Sequence, residues 1–397
     1  MPLETPAGIE PTRLEEVGTA LTDVVAELSS AAESLGKGLH PATAAHLADL
    51  VRIMNTYYSN LIEGHNTRPR DIARALSGDL DDDPQRRNLQ IEAAAHVRVQ
   101  AQIDRMGREK TLGEPADADF IRWLHREFYR DAGAQMLTIH GAGGSFAMQP
   151  GEWRSRAEHD VAVGQHVPPS SDRIPDFMHY FQERYQLEAL GKGARILAIA
   201  AAHHRFNYIH PFADGNGRVS RLMSHAMGYC AGIDANGLWS ISRGLAPGLK
   251  SRTDYKQMMD YADTPRQGDR DGRGNLSERA LKEFTHWFLS VCLDQVKFMA
   301  SLFEIDTLAK RLRTYVERSE TLKPVTANIL EEALIRGEVE RGAIERITGL
   351  PERTARRVLN DAINAGLLAS ATPRSAVSLR FPDDALEVLF PRLYPHT

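Results

Sequence analysis

The chain of 397 residues has few of the features that mark secreted or membrane proteins. It contains two cysteines, Cys230 and Cys292, which are far apart and lie within apolar stretches. This spacing argues against a disulfide framework or a cysteine metal site and indicates buried thiols in a reducing compartment. No apolar run approaches the roughly 20 residues that a transmembrane helix needs, and no signal peptide is visible. We therefore expect a cytoplasmic protein without membrane contact.

The sequence also has little net charge and few aromatic residues. Its formal net charge of −5 argues against a protein that coats nucleic acid or binds membranes through a polybasic face. Aromatic residues make up 7%, and strand-like alternation is rare, whereas apolar positions recur at helical spacing. We expect a mainly α-helical protein that is long enough for two or three domains.

Helical periodicity and its interruptions predict three regions. Residues 1–115 form an N-terminal helical region, residues 116–318 a helical core with a following long helix, and residues 320–397 a separate C-terminal domain. Glycines and prolines interrupt the core between residues 134 and 171. Within this stretch, alternating valines predict a loop and a short β-hairpin at 151–168.

One loop combines residue types that suit phosphate chemistry. Residues 210–218 read His-Pro-Phe-Ala-Asp-Gly-Asn-Gly-Arg and connect two predicted helices. Glycines allow backbone N–H groups to form an anion nest, and the following helix N-terminus adds positive potential. Asp214 is placed as a Mg²⁺ ligand would be, and His210 can act as a base near neutral pH. Arg218 and Arg221 share a helix face and can both point towards a phosphate chain.

The segment 210–221 resembles the full signature of Fic-domain proteins: His, any residue, Phe, any residue, Asp or Glu, Gly-Asn-Gly-Arg, two residues of any type, Arg. The resemblance implies an all-helical core and the transfer of AMP from ATP to a Ser, Thr or Tyr hydroxyl of a target protein. It implies that His210 is the general base, that Phe212 anchors the loop in the core and that Asp214 holds Mg²⁺. The residues that it assigns to the phosphates of ATP are Gly215, Asn216, Gly217, Arg218 and, at the γ-phosphate, Arg221.

A second segment resembles the inhibitory motif of the same family. Residues 59–64, Ser-Asn-Leu-Ile-Glu-Gly, match the pattern Ser or Thr, three residues of any type, Glu, then Gly or Asn. The residues that carry the match are Ser59, Glu63 and Gly64. Glu63 and the γ-phosphate are both anions that can pair with Arg221, so we expect Glu63 to keep bound ATP out of its reactive placement. In some relatives the same glutamate serves the reverse reaction, removal of AMP from a target, and the sequence leaves both directions open.

Two more parts of the site are assigned by position along the chain. Residues 152–168 occupy the place of the family's β-hairpin flap, whose strand edge is expected to hold a target segment by main-chain pairing. Tyr255 is a candidate to line the adenine pocket. The alternative is that it is a residue of the hydrophobic core. Homo-oligomers are common among the relatives, but no interface can be recognised in the sequence.

The C-terminal region resembles a winged helix-turn-helix domain. Short predicted helices surround a Gly-Leu-Pro turn at 349–351, and residues 367–368 are expected to pair with 377–379 as a wing. Residues 353–357 would begin the second helix and face a DNA groove. From Pro324 to Thr397, however, ten Asp and Glu outnumber nine Arg and Lys, which weakens the case for DNA. The alternatives are a packing or dimerisation module, and a DNA-binding regulator whose Fic core senses nucleotide or modifies the chain itself.

Overall fold

The computed structural model describes residues 4–14, 16–141, 144–162, 164, 166–246 and 255–395. The predicted mainly helical fold is confirmed. Within the described part of the chain, no helix is both long and apolar enough to cross a membrane. The α-helices are α1 (Thr19–Ser34), α2 (Pro41–Ile62), α3 (Pro69–Leu76), α4 (Pro84–Glu109), α5 (Ala118–Phe128), α6 (Ala134–Leu137), α7 (Ile174–Arg184), α8 (Lys192–Ile209), α9 (Asn216–Ala231), α10 (Ser242–Leu245), α11 (Tyr255–Ala262), α12 (Glu278–Phe303), α13 (Ile305–Arg318), α14 (Thr326–Arg336), α15 (Ile344–Thr348), α16 (Glu352–Asn364) and α17 (Leu386–Leu389).

The described residues cluster into two units, each built from segments that are distant in sequence. The first comprises Met1–Ala32, Asn55–Asp234 and Ser240–Gln295, and the second comprises Glu33–Met54, Ala235–Trp239 and Val296–Thr397. The loop 210–218 and the motif 59–64 both belong to the first unit. The three contiguous regions expected from the sequence stay a prediction.

Helix α8 forms the core of the first unit and leads directly into the loop 210–218. Most of its residues are buried, among them the apolar Ile196, Ala200 and Phe206 and the polar His203, His204 and Arg205, all of which are completely or almost completely buried. A helix that is buried on nearly every side belongs in a protein core. Helix α9 packs along α8 after the loop reverses the chain. The loop is thus held between the two most closely packed helices of the unit.

The β-hairpin of the first unit lies upstream of the predicted one. Strand β1 (Thr138–Gly141) pairs antiparallel with β2 (Gly144–Ala147). The predicted flap, 152–168, contains a short 3₁₀-helix at Ala157–His159 and, among its described residues, no strand longer than a single bridge position; residues 163 and 165 lie outside the described residues. The prediction of a hairpin at 152–168 was therefore wrong. The reason is that Arg154 is buried and fastens this loop to the backbone at 209–211, not to a partner strand.

In the second unit, α14, α15 and α16 precede a short hairpin. Gly349 ends α15 with φ 67°, a conformation that glycine adopts without strain, and α16 begins directly after Pro351. Strand β3 (Leu368–Ala369) pairs antiparallel with β4 (Ser378–Leu379), so the predicted pairing of these segments is confirmed. The order of elements agrees with a helix-turn-helix and a wing, while the assignment to the winged-helix class stays a prediction.

Candidate active site

The loop 210–216 is anchored by a buried aromatic side chain and by one asparagine. Phe212 is completely buried and stacks on the His125 ring, with ring centroids 3.9 Å apart. The Asn216 Oδ1 accepts a hydrogen bond from the Phe212 backbone N–H at 2.9 Å, and its Nδ2 donates to the Phe212 carbonyl at 2.8 Å. The Asn216 side chain thus closes the loop, and any contribution of Asn216 to a phosphate cradle would come from its backbone.

His210 stands at the end of α8 in a left-handed backbone conformation, with φ 51° and ψ 61°. Its Nδ1 is buried and makes no hydrogen bond within the described structure. Burial, followed by the positive charge of Arg154, lowers the pKa of His210 to about 4. The imidazole is therefore neutral at physiological pH and can accept a proton.

Asp214 presents an anionic and partly accessible carboxylate. The Tyr129 hydroxyl donates to its Oδ2 at 2.8 Å, and the Arg218 Nη2 lies 3.3 Å from the same oxygen. Burial alone would raise the pKa of Asp214, but Arg218 and Tyr129 outweigh it, and the pKa lies below its ordinary value. Its side chain is 45% exposed. A single ionised, accessible carboxylate fits Mg²⁺, which binds proteins through one or two carboxylates and takes further ligands from phosphates and water.

Arg218 is buried and lies between two carboxylates. Its Nη1 donates to Glu92 Oε2 at 2.7 Å, while its Nη2 faces Asp214. The guanidinium also lies over the Phe128 ring, 5.2 Å from the ring centroid. Burial would lower the pKa of Arg218, but Tyr129, Glu92 and Asp214 outweigh that effect and raise it. Arg218 is thus a permanent positive charge fixed in the first turn of α9.

Arg221 is also buried, and two residues of the motif 59–64 contact it: the predicted partner Glu63 and, in addition, Ser59. Its Nη2 donates to Glu63 Oε1 at 2.6 Å and to the Ser59 carbonyl at 3.3 Å, and its Nε donates to Ser59 Oγ at 2.9 Å. Burial would raise the pKa of Glu63, but Arg221 and Arg218 outweigh it and lower the pKa. The ion pair expected from the sequence is therefore present between ionised groups.

The Glu63 carboxylate also lies against the beginning of α9. A Cβ atom added to Gly217 would come 2.4 Å from Glu63 Oε1, so glycine is what permits this approach. Gly64, with φ 86°, turns the chain directly after Glu63, and its N–H donates to the Leu61 carbonyl. The first turn of a helix attracts anions because its N–H groups have no intrahelical partner. Glu63 therefore occupies the kind of position that a phosphate would take.

Residues 115–227 match the model of the Fic/DOC family. This part of the chain is therefore a Fic domain. The protein adenylyltransferase Fic of Drosophila willistoni is 35% identical to the chain over 80 residues, which cover 20% of this chain and 16% of the relative. The protein adenylyltransferase Fic of Aedes aegypti is 34% identical over 122 residues, covering 31% and 21%. The chain thus spans about a fifth or less of the length of these relatives.

The fold of the chain also resembles a solved structure over most of its length. A Fic family protein from Desulfovibrio desulfuricans G20 superimposes with a TM-score of 0.54 and 17% identity, over 93% of this chain and 98% of that protein. At this level of identity the likeness shows a shared fold.

Tyr255, the candidate adenine contact, packs in the interior of the first unit. Its hydroxyl lies 2.7 Å from His203 Nε2, and its ring is nearly parallel to that of Trp287, 6.3 Å away. Burial is the main reason that its pKa is raised. These contacts are those of a core residue, and its role in adenine binding stays a prediction. Residues 252–254, which precede it, lie outside the described residues.

Four residues that sequence reasoning did not assign to the site help to build it: Glu92, His125, Tyr129 and Arg154. The His125 Nδ1 accepts the Gly151 N–H at 2.8 Å, so its Nε2 carries the proton and donates to the Asp214 carbonyl at 3.2 Å. His125 and Tyr129 are four residues apart, and this helical spacing was an available signal. For Glu92 and Arg154 no local pattern indicates the contact.

Proposed function

We propose that the chain is a protein adenylyltransferase that moves AMP from ATP to a Ser, Thr or Tyr hydroxyl and is inhibited by its own Glu63. One observation carries the proposal: the loop that holds the neutral His210 imidazole leads into a helix whose first turns contain two buried arginines. A base next to a built anion site is the combination that nucleotidyl transfer requires. The family match and the adenylyltransferase relatives support the same reaction.

In the proposed reaction, His210 removes the proton from the target hydroxyl. The hydroxyl oxygen then bonds to the α-phosphorus of ATP while the bond from that phosphorus to the oxygen that bridges it to the β-phosphorus breaks, and pyrophosphate leaves. General-base assistance of this kind accelerates a reaction by about 10²–10⁴-fold. The protonated imidazole returns its proton to solvent before the next cycle.

The remaining residues bind and neutralise the phosphates. Arg218 and the backbone N–H groups at the start of α9 face the phosphate chain, and Arg221 meets the γ-phosphate once Glu63 has left. Mg²⁺ held by Asp214 would supply positive charge for the leaving pyrophosphate. Tyr129 and Arg218 hold the Asp214 carboxylate in place through the contacts described above.

Inhibition follows from competition between two anions. Glu63 pairs with Arg221 and lies against the first turn of α9, so a γ-phosphate cannot use the same guanidinium edge until the carboxylate withdraws. A charge-assisted pair of this kind is strong because both partners are largely desolvated. ATP that binds beside Glu63 would have its phosphates displaced, and in-line transfer is sensitive to such displacement.

The target segment is better assigned to the β1–β2 hairpin than to 152–168. Among the described residues of these two segments, only the hairpin supplies extended strands with edges for main-chain pairing. Phe146 of β2 stacks on His159, with ring centroids 4.3 Å apart, so the hairpin rests on the loop that follows it. A target segment added to this sheet would be held by its backbone, with little requirement for a particular sequence.

A DNA-binding role of the C-terminal helices is the second candidate. Arg353, Arg356 and Arg357 are exposed on α16, the second helix of the helix-turn-helix order. Arg356 is paired with Glu352 at 2.5 Å, which reduces the charge available to phosphates. Fluorescence anisotropy with the promoter DNA of its own gene, measured over a range of salt concentrations, tests this role. Loss of salt-dependent binding in Arg353→Ala/Arg357→Ala protein supports it, and absence of binding by the unaltered protein excludes it.

Mass spectrometry of modified peptides tests the principal proposal. Glu63→Gly protein is incubated with ATP, Mg²⁺ and cell extract, and peptides that carry one added adenylyl group are sought on hydroxyl residues. Glu63→Gly/His210→Ala protein is the matched control. Peptides that appear only with Glu63→Gly support the proposal, while equal amounts with both proteins, or none with either, contradict it.

A further inference from the structure

Arg154 is a buried arginine that connects two loops of the first unit. Its side chain is 1% exposed. On one side, its Nε donates to the His210 carbonyl at 2.8 Å and its Nη2 to the Ile209 carbonyl at 3.2 Å. The backbone N–H of Arg154 donates to the Pro211 carbonyl at 2.9 Å. Three consecutive carbonyls around the candidate base therefore accept hydrogen bonds from this one residue.

On the other side, the same guanidinium holds the loop that ends before α7. Its Nη2 donates to the Pro169 carbonyl, and its Nη1 donates to Ser171 Oγ at 3.0 Å. Asp160 supplies the opposite charge, with Oδ1 at 3.4 Å from Nη1, and accepts hydrogen bonds from the backbone N–H and the hydroxyl of Ser171. A buried charge needs such partners to be tolerated.

The contacts of Arg154 explain how His210 keeps an unusual backbone conformation. Its φ of 51° lies in the left-handed region, which residues with a side chain rarely adopt. Such a conformation persists when surrounding contacts over-determine it. Here the carbonyls before, at and after the turn are all held by Arg154, so the direction in which the imidazole leaves the backbone is fixed with them.

We propose that Arg154 is a positioning residue for the base, which fixes the turn at His210 and holds its carbonyl so that the imidazole is presented to the target hydroxyl. The inference rests on the proposed function for the role of His210, although the contacts themselves do not depend on it. Arg154 touches neither substrate nor reacting atoms in this account. It acts through the backbone of residues 209–211.

Arg154 also changes the electrostatic surroundings of His210. The groups that influence the imidazole are Arg154, His166, Asp214 and the backbone of Asn207, and after burial Arg154 has the largest effect on its pKa. Removal of the positive charge is expected to raise the pKa of His210 towards its ordinary value. A purely structural arginine elsewhere in the core would not produce this effect.

Two substitutions separate the geometric effect from the effect of charge. Arg154→Lys keeps the charge but loses the planar fork that reaches several carbonyls at once, whereas Arg154→Gln loses both. In the Glu63→Gly background, both are expected to lower kcat for AMP transfer by about 10²-fold, the size expected for a misplaced reacting group. KM for ATP is expected to stay within about twofold, since the arginines of α9 are unchanged. Arg156→Lys, at an exposed arginine two residues later, is the matched control and is expected to change neither value.

Nuclear magnetic resonance titration of His210 in ¹⁵N-histidine-labelled protein provides a readout that needs no activity. We expect a raised pKa in Arg154→Gln and a nearly unchanged pKa in Arg154→Lys. If both variants fold and retain kcat, or if kcat falls while the pKa of His210 is the same in both, Arg154 has no positioning role of the kind proposed. If Glu63→Gly protein transfers no AMP at all, the proposed function fails, while the titration still decides the relation between Arg154 and His210.

Asp160→Asn keeps the test informative if both Arg154 variants fail to fold. Asp160 is half-exposed and contacts Arg154 and Ser171, so its substitution loosens the guanidinium without emptying a core position. We expect an intermediate loss of kcat at unchanged KM for ATP, with circular dichroism as the check on folding. An unchanged kcat in folded Asp160→Asn protein overturns the proposal in that case.

Discussion

The carboxylate of Glu63 lies 2.6 Å from the guanidinium of Arg221, and the same oxygen borders Gly217 in the first turn of α9. An anionic side chain thus already occupies the helix N-terminus to which the loop 210–218 leads. A nucleotide that binds there with its γ-phosphate on Arg221 has to displace it. The affinity for ATP and the rate of transfer are therefore expected to depend on the same carboxylate.

Glu63→Gln is expected to bind ATP more tightly than the unaltered protein. The amide keeps the shape of the side chain but removes the charge that pairs with Arg221, and a hydrogen bond to a charged group contributes about 1.5–3 kcal/mol. This predicts a gain of about tenfold or more in affinity. Isothermal titration calorimetry measures it, with Glu109→Gln, at an exposed residue at the end of α4, as the control. Equal affinities of Glu63→Gln and the control would show that Glu63 does not compete with the nucleotide.

Phe212→Ala is expected to destabilise the Fic domain by about 3–5 kcal/mol, because the ring is completely buried against His125 and Trp153. The loss should appear as a lower midpoint in urea unfolding. Phe120→Ala, at a partly exposed ring of α5, is the comparison and should lower the free energy of unfolding by less. A small loss for Phe212→Ala would mean that the loop is not anchored by this side chain.

The stability of the protein is expected to fall as the pH is lowered from about 6.5 to about 4. Burial lowers the pKa of four histidines below that of the unfolded chain: His125 and His210 to about 4, His96 and His203 to about 3. In this range the unfolded chain binds protons that the folded protein does not, so stability is lost on acidification at about 1.4 kcal/mol per pH unit for each histidine.

Urea unfolding at several pH values tests this linkage. The quantity compared is the slope of the free energy of unfolding against pH between pH 6.5 and 5. His179→Gln, at an exposed histidine of α7, should leave this slope unchanged, whereas His96→Gln should reduce it. A slope that is flat in the unaltered protein would show that these histidines are charged, or accessible to protons, in the folded state.

Substitutions in the hairpin and in the following loop distinguish the two possible positions of the target. Ile139→Pro removes a backbone N–H from β1 and should abolish modification of a target protein while leaving ATP affinity unchanged. Ala157→Pro is the matched control in 152–168, because the first position of a short helix accepts proline. If target modification is lost with Ala157→Pro and not with Ile139→Pro, the target segment binds at 152–168 instead of the hairpin.

The parts of this structure that were predicted correctly are those determined by patterns of a few neighbouring residues. The Gly-Leu-Pro turn at 349–351 correctly separated α15 from α16, and the pairing of Leu368 with Leu379 followed from two short apolar runs around a turn. The ion pair of Glu63 with Arg221 was expected because each residue belongs to a motif with a defined partner. Whether these residues carry out the proposed chemistry stays a prediction.

The parts that were missed depend on contacts between distant segments. Glu92 is 126 positions from Arg218 and sits on an ordinary amphipathic helix, so nothing near it in sequence indicates its partner. The hairpin at Thr138–Ala147 was overlooked because its glycines were interpreted only as helix breakers. The loop 152–168 was taken for strands because the burial of Arg154, which holds it in another form, is a tertiary effect.

Transfer of isotopic label from ATP tests the central claim most directly. Unaltered, Glu63→Gly and Glu63→Gly/His210→Ala proteins are each incubated with ATP that carries ³²P at the α-phosphate or at the γ-phosphate. The account predicts strong incorporation of the α-label by Glu63→Gly, little by the unaltered protein, none by the double variant and no incorporation of the γ-label by any of them. Incorporation of the γ-label, or equal incorporation of the α-label with and without His210, would contradict it.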